Sequence, residues 1–329
     1  MDAYIYRLIR FILLISFLIP SFICFLFVFF YLVKNREINS KQLQHHVILV
    51  LLFCNFILIT TELPISLLYS YQGYVKPESN QFCSFWVAYN YGLYVAGLFL
   101  MAFGSVERYF LIFYERYVIK WRFIIHYPVI LICFIYPLTF YNVIVNTYPC
   151  ENVYYYDAYV CGGACYQYET IVGTIDYLIH VVTPTTFIIL ANIILLLRFT
   201  YQKRAMKLAN TWRKYRLMYI QLVSISMLYF IIWIPFVIIS LIRLFYDPLF
   251  LQDVTMLIIN YCLYIGPLAS PFISLVGLPG VRQHLRRNNL ITPWISRNAQ
   301  NLIGPAATFK KRTEQQQMAL RKEYDEHTF

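Results

Sequence analysis

Two carboxylates lie inside long apolar stretches of this sequence, where an ionisable side chain is costly to bury. Glu62 lies about seven residues before the end of one stretch, and Asp176 lies about six residues after the start of another. At about 1.5 Å per helical residue, both would lie roughly 10 Å from the same membrane edge. Asn90 and Asn260, in two further stretches, reach nearly the same level. Buried ionisable groups of this kind are usually functional, which predicts a shared polar pocket.

Aromatic residues and a histidine would complete this pocket. His180 follows Asp176 by one helical turn on the same face. The pocket floor would be formed by Tyr94, Trp233 and Phe236. Two acids among aromatic faces suit an amine, a guanidinium or a basic peptide. The alternative is structural, with Glu62 protonated and hydrogen-bonded between helices and Asp176 paired with His180.

A second set of chemical groups lies at the two ends of the apolar stretch 85–103. Cys83 precedes this stretch, and Glu107-Arg108-Tyr109 follows it. Arginine stays ionised in essentially every protein setting, so Arg108 needs water or a counter-charge, and Glu107 is its immediate neighbour. The alternative is a helix-end charge that reaches the membrane surface and has no further role.

The composition is typical of an integral membrane protein. Of the 329 residues, 60% are hydrophobic, 19% aromatic and only 13% charged, whereas a soluble domain carries about 25% charged residues. The net charge of +11 does not indicate nucleic-acid binding. The charges gather in short blocks between apolar stretches, rather than along a helix face or an RNA-binding motif.

Seven apolar stretches of 18 residues or more predict an all-α membrane protein, a seven-transmembrane helix bundle. They cover approximately residues 8–33, 47–69, 85–113, 123–145, 170–197, 217–242 and 254–276. The first stretch is too long for a secretory signal and lacks a small-residue cleavage pattern, so we expect it to be retained.

The positive charges predict the orientation. Of the 27 Lys and Arg residues, 23 lie in the loops after the first, third and fifth stretches or in the C-terminal tail. The positive-inside rule then places residues 1–7 outside the cell, 8–276 in the plasma membrane and the C-terminus in the cytoplasm. The remaining positive charges are Arg7, Arg10, Lys76 and Arg243.

The cysteines divide in the same way. Four lie within apolar stretches, where a thiol acts as a small core hydrophobe: Cys24, Cys54, Cys133 and Cys262. The other four lie on the side predicted to be external, where disulfides persist: Cys83, Cys150, Cys161 and Cys165. Four cysteines allow three pairings. We favour Cys83 with Cys161 or Cys165, because that bridge would pin the 146–169 loop across the opening.

The C-terminal segment is expected to be membrane-associated first and disordered afterwards. Gly277-Leu278-Pro279-Gly280 ends the seventh stretch, and 281–288 is basic and amphipathic, which suits a short helix on anionic membrane lipids. Residues 289–329 are polar and weakly patterned, which favours a disordered cytoplasmic tail.

These features resemble the rhodopsin-like, or family 1, G-protein-coupled receptors, over about residues 5 to 288. Cys83 and Arg108 are 25 residues apart, the family spacing between the third-helix cysteine and the arginine of the D/E-R-Y motif, which Glu107-Arg108-Tyr109 fills. The other matches are Trp233-Ile234-Pro235 for the sixth-helix W-x-P, Pro184 for the fifth-helix proline, and Ser270-Pro271 for the start of N-P-x-x-Y.

The resemblance implies a signalling mechanism. An extracellular ligand would bias the Trp233 region, the sixth helix would swing about Pro235, and Arg108 would leave Glu107 to receive a heterotrimeric G protein, with arrestin as a further partner. The ligand must therefore bind one packing of the helices better than the other. The switch residues implied are Glu107, Arg108, Tyr109, Trp233, Pro235 and Pro271.

The sequence also departs from the family pattern. The second-helix aspartate of the family corresponds to Asn55, and Ser270 and Ser274 replace the asparagine and tyrosine of N-P-x-x-Y. These replacements put the family's sodium-regulated switch in doubt. They mark a divergent member, of the kind expected of an orphan-like invertebrate peptide or chemosensory receptor.

Two other classes of protein are disfavoured, and a third is an alternative. An opsin needs a lysine in the seventh stretch, and 254–276 has none. A membrane enzyme is disfavoured because His45-His46 lies outside any cluster of histidine motifs and no H-E-x-x-H is present, so we expect no metal and no cofactor. The remaining alternative is a transporter or channel subunit with Glu62, Asp176 and His180 along a permeation route.

Overall fold

In the computed structural model, the described residues are 2–34, 44–114, 118, 120, 122–205, 227, 230–247, 249–255, 258 and 260–277. The predicted amphipathic helix 281–288 and the tail 289–329 lie outside them. So do the basic blocks 35–43 and 206–226. The regular secondary structure across the described ranges is helical.

Five helices are long and apolar enough to cross a membrane, over Tyr4–Leu32, His46–Gln72, Asn80–Leu111, Tyr127–Thr147 and Thr170–Leu195. They lie in α1 (Asp2–Lys34), α2 (Gln44–Ile57, Leu58–Glu62 and Leu63–Gln72), α3 (Asn80–Phe113), α4 (Arg122–His126 and Tyr127–Thr147) and α5 (Thr170–Tyr177, Leu178–Val182 and Thr183–Ala205). The chain is thus an all-α, multi-pass membrane protein.

The last two predicted spans, 217–242 and 254–276, are described only in part. A shorter apolar helix, α6, covers Phe230–Phe245. The stretch α7 consists of Gln252–Val254, Asn260–Cys262 and Ile265–Gly277.

The ends of two helices follow from local sequence signals. Ser79 caps the start of α3, because its hydroxyl accepts a hydrogen bond from the Phe82 amide at 3.2 Å. Gly73 ends α2 in the left-handed conformation, with φ of 81°, which glycine adopts without steric cost. The structure therefore begins α3 at Asn80, ahead of the apolar stretch 85–113.

α3 is the central helix of the bundle. It packs against α2, α4 and α5, and 78% of its most apolar stretch is buried, against 28% for α1, α4 and α5. The outer helices are apolar on their exposed sides too, which is the pattern expected of helices that contact lipid. Side chains on α3 are therefore the ones best placed to form a site inside the bundle.

Three of the long helices contain a π-helical turn, at Leu58–Glu62, Arg122–His126 and Leu178–Val182. The second residue after each turn is a proline: Pro64, Pro128 and Pro184. Proline lacks an N–H, and its ring clashes with the carbonyl four residues earlier, so a widened turn relieves that clash. Three polar side chains that matter below lie in these turns: Glu62, His126 and His180.

Candidate functional site

The segment between α4 and α5 forms a roof over the helices, which we define as residues 154–168. Two disulfides anchor it, one joining Cys83 at the start of α3 to Cys161 and one joining Cys150 to Cys165. The sequence left three pairings open, and the structure contains this one. Cys83 and Cys161 are both fully buried, so the roof is attached to the most buried helix.

Hydrogen bonds fix the roof along its length. The Val75 amide donates to the Tyr156 carbonyl at 2.8 Å, and the Tyr69 hydroxyl donates to the Asp157 carbonyl at 3.0 Å. Gly163 has φ of 94°, and a side chain there would lie 3.1 Å from the Tyr91 hydroxyl. The roof is therefore a preformed element held from α2 and α3.

A cavity of about 410 Å³ lies beneath the roof. Six of the eight residues that the sequence placed in a pocket line it: Asn90, Tyr94, Asp176, Trp233, Phe236 and Asn260. Glu62 and His180 are not among its lining residues. The aromatic lining is mostly tyrosine: Tyr91, Tyr94, Tyr141, Tyr155, Tyr159, Tyr168 and Tyr177. The cavity therefore combines aromatic faces and hydroxyls with one carboxylate among its described lining residues, Asp176.

The Asp176 carboxylate is held by three donors. Oδ1 lies 2.7 Å from His180 Nδ1 and accepts from the Tyr141 hydroxyl at 3.2 Å, while Oδ2 accepts from the Tyr166 hydroxyl at 3.2 Å. Burial and the nearby Asp176 carboxylate raise the pKa of the Tyr166 phenol, so this roof residue stays protonated and donates. Asp176 thus joins α5, α4 and the roof.

His180 lies behind Asp176, away from the cavity. Its Nε2 is 2.9 Å from the Tyr136 hydroxyl, and its ring centroid is 4.4 Å from that of Phe140. A histidine in contact with both Asp176 and Tyr136 is fixed at both ring nitrogens. His180 therefore pairs with Asp176, which is the structural alternative given in the sequence analysis.

Glu62 forms a separate cluster that is closed to solvent. Its side chain is fully buried, and Oε1 accepts hydrogen bonds from four side chains: Asn90 at 2.6 Å, Tyr264 at 2.9 Å, Ser66 at 3.0 Å and Trp86 at 3.3 Å. These contacts join α2, α3 and α7. Asn90 is shared by the cavity and the Glu62 cluster, because it lines the cavity and also donates to Glu62.

The roof also contacts the Glu62 cluster. The Tyr159 and Tyr264 hydroxyls lie 2.9 Å apart, and the Tyr159 ring centroid is 4.9 Å from that of Tyr261. Each buried acid is therefore reached by one roof tyrosine, Asp176 directly by Tyr166 and Glu62 through Tyr264. Sequence reasoning missed these partners, although the run of tyrosines in the 146–169 loop was a visible signal.

The group Glu107-Arg108-Tyr109 lies near the end of α3 that is remote from the roof. Glu107 and Arg108 are 6% and 5% exposed. Glu107 Oε1 makes a short contact with His126 Nδ1 on α4, and Arg108 Nη1 is buried without a hydrogen-bond partner among the described residues. The sequence suggested Glu107 as the counter-charge of Arg108. In the structure the Glu107 carboxylate is turned toward His126 on α4 instead.

The remaining predicted switch residues lie in α6 and α7. Trp233 is 6% exposed and packs edge-on against Phe236, with ring centroids 5.5 Å apart. Pro271 lies within α7, and Tyr109 contacts Arg198 of α5 through its hydroxyl. Pro235 lies in α6, two residues after Trp233. Within the described residues, no group of three or more His, Cys, Asp or Glu could hold a metal ion.

Comparison with protein families agrees with this arrangement. Residues 26–273, about three quarters of the chain, match the family model described as 7 transmembrane receptor (rhodopsin family). A search of curated proteins found no match. The resemblance seen in the sequence is confirmed by the family match.

Proposed function

We propose that this chain, which belongs to the rhodopsin family of seven-transmembrane receptors, binds a small extracellular ligand in the cavity beneath the roof and activates a heterotrimeric G protein. The observation that carries the proposal is the cavity itself. It has about 410 Å³ of space, one lining carboxylate, and Trp233 of α6 in its wall. A ligand there would contact both the carboxylate that recognises it and α6, the helix that moves on activation in this family.

The proposed ligand is a small organic cation. Asp176 supplies a negative group, and the surrounding tyrosine faces attract a cation through their ring quadrupoles. A volume of about 410 Å³ is in the range of small-molecule pockets. Because the roof is held over the cavity, only one end of a basic peptide would enter it. The Tyr141 and Tyr166 hydroxyls would exchange their bonds to Asp176 for bonds to the ligand.

The proposed topology is a seven-helix bundle in the plasma membrane. Residues 1–7 would be extracellular, 8–276 would form the transmembrane domain, 281–288 would lie on the inner leaflet, and 289–329 would form the cytoplasmic tail. The support is the distribution of Lys and Arg in the sequence. Both disulfides then lie at the extracellular end, where they persist.

In the proposed mechanism, the ligand changes the balance between two packings of α6. Trp233 and Phe236 touch both the cavity and each other, so a ligand that fits only one arrangement of these rings shifts the population toward it. The movement would open the cytoplasmic face beside Arg108 to the G protein, and arrestin would bind the same face.

The test is a screen of cationic amines and amidated peptides on cells that carry promiscuous G proteins. We expect a cationic amine to evoke a response that Arg108→Ala abolishes at equal surface expression. Asp176→Asn should lower the potency of that amine about 10- to 150-fold, because a hydrogen bond to a charged group contributes about 1.5 to 3 kcal/mol.

Asp157→Asn is the matched control, because it removes the same charge from an exposed roof residue that does not line the cavity. Unchanged potency of Asp176→Asn would contradict the ligand assignment. Ion flux without agonist that survives Arg108→Ala would instead support the transporter or channel alternative. The structure does not favour that alternative, since Glu62 and His180 are absent from the cavity lining.

A further inference from the structure

The contact between Glu107 and His126 joins α3 to α4 at the cytoplasmic side of the bundle. His126 is 1% exposed and Glu107 is 6% exposed, so the pair is shielded from water. Its atoms are Glu107 Oε1 and His126 Nδ1. His126 Nε2 is buried and has no hydrogen-bond partner in the described part of the chain. The proton therefore belongs on Nδ1, from which the ring donates to the carboxylate.

The local fold aims His126 at α3. His126 is the last residue of the π-helical turn Arg122–His126, two residues ahead of Pro128. Its ring is flanked by the ring of Tyr127 at 5.0 Å, that of His46 at 5.6 Å and that of Phe103 at 6.4 Å between centroids. These rings leave the imidazole little room to turn away from Glu107.

This pairing has a consequence for Arg108. The guanidinium has a buried Nη1 with no acceptor among the described residues, and an uncompensated buried donor is costly. The nearest carboxylate in the sequence, Glu107, is engaged by His126 instead. Among the described residues no carboxylate bonds to Arg108, whose Nη1 can therefore donate to a partner supplied from outside the chain.

We infer that His126 is a positioning residue of the cytoplasmic switch: by holding the Glu107 carboxylate on α4, it keeps Arg108 released and sustains ligand-independent G-protein activation. This inference rests on the coupling proposed above. Removing the imidazole Nδ1 would free Glu107 to turn toward Arg108, and the resulting pair would hold the receptor in its inactive packing. His126 would thus set the basal activity without touching the G protein.

The test measures binding of a non-hydrolysable GTP analogue to G proteins added to membranes of cells that express the full chain. His126→Phe keeps the ring and removes the donor. We expect it to lower ligand-independent exchange threefold or more at equal surface expression. His126→Asn places an amide donor close to the position of Nδ1, so its exchange should stay within about twofold of the wild type.

A double variant separates positioning from structure. Exchange by His126→Phe combined with Glu107→Gln should return to the wild-type level or above, because no carboxylate is left to capture Arg108. A residue that only stabilises the fold would show no such rescue. Ile132→Val is the control for α4, since that side chain is 61% exposed on the outer surface and should leave exchange unchanged.

Two results would overturn this inference and leave the proposed coupling intact. One is exchange that Arg108→Ala abolishes but His126→Phe leaves unchanged, and the other is a double variant as inactive as His126→Phe. If His126→Phe fails to reach the cell surface, His126→Leu takes its place, alone and combined with Glu107→Gln, with the same expected loss and the same expected rescue. Ligand-independent exchange that is absent from the wild type and from every variant would also overturn this inference, whereas the proposed coupling fails only if no agonist evokes exchange.

Discussion

The buried charged side chains at the two ends of the helix bundle differ in how fully they are hydrogen-bonded. At the roof end, Asp176 has three hydrogen-bonding partners and Glu62 has four. At the other end, Glu107 contacts His126, and Arg108 Nη1 lacks a hydrogen bond within the described ranges. Glu62 Oε2 is buried without a hydrogen-bond partner among the described residues, yet several bonds must break before either acid can move, whereas an unsatisfied Arg108 donor gains from a rearrangement. We interpret the roof end as preorganised for recognition and the opposite end as poised for change.

The two acids at the roof end also differ from each other. Asp176 lines the cavity and is 7% exposed, whereas Glu62 is fully buried outside it. Both are bonded through tyrosines, yet only Asp176 can exchange such a bond for one to a ligand in the cavity. If the roof end is rigid and its two acids differ in this way, substitutions there should have effects of clearly different size.

The largest effect is expected from the disulfide that joins the roof to α3. Cys83→Ser opens a loop with a sequence separation of 78 residues, which in the chain-entropy model costs about 4.5 kcal/mol. We expect most of the surface expression to be lost, as measured on intact cells with an extracellular tag. Cys150→Ser opens a separation of only 15 residues, at about 3 kcal/mol, so more of that variant should reach the surface.

Cys262→Ser is the control for the disulfide variants, because that thiol is unpaired in the structure. A Cys83 that alkylating reagents label freely in the mature protein would contradict the pairing. The roof would then not be a preformed element.

A smaller loss is expected from the Glu62 cluster. Glu62→Leu removes the acceptor of Trp86, Asn90 and Tyr264 and leaves buried donors unsatisfied, at about 1 to 3 kcal/mol for an unmade bond of this kind. Thermal unfolding of the detergent-purified protein should shift down by several degrees. Glu62→Gln keeps a carbonyl acceptor and should shift it less.

Glu62→Gln also distinguishes the two acids. Because Glu62 does not line the cavity, the potency of a cationic agonist should change less than threefold in this variant. A loss as large as that expected for Asp176→Asn would show that both acids recognise the ligand, as the sequence first suggested.

The smallest effect is expected at the outer surface. The Tyr148 hydroxyl donates to Glu169 at 2.5 Å, and this bond raises the pKa of the Tyr148 phenol above its usual value near 10. Any stability it contributes is complete below the pKa of the unfolded chain and is lost as pH rises through the raised pKa. Both groups are solvent-screened, so Tyr148→Phe should leave the thermal midpoint within error at pH 7.

A difference between Tyr148→Phe and the wild type that grows above pH 10 would contradict that sign. A strong Tyr148–Glu169 bond would also mean that the roof depends on exposed contacts and not only on its buried anchors.

Much of the fold follows from the sequence because it depends on local composition. Runs of apolar residues identified the five spans of α1 to α5, and the D/E-R-Y and W-x-P motifs identified the family. The candidate pocket was found in large part, since charged and amide side chains at one depth in separate helices tend to meet. What the pattern did not give was the rotation of each helix about its axis.

That rotation explains the residues that were missed or misplaced. Glu62 and His180 do not line the cavity, and both lie within π-helical turns that spacing rules built on 3.6 residues per turn do not describe. His126 carried no sequence signal at all, because its partner Glu107 is 19 residues away on another helix.

By itself the sequence determined which segments are apolar enough to cross a membrane, because transfer into lipid is close to a sum over residues in each segment. Its motifs also indicated the family to which the chain belongs. Only the tertiary structure decided which cysteines pair, which acid faces the cavity and which side chain holds Glu107. Those outcomes depend on distances of a few ångströms between helices remote in the chain. Such distances are set by packing and by the proline-linked π turns together, and no single segment encodes them.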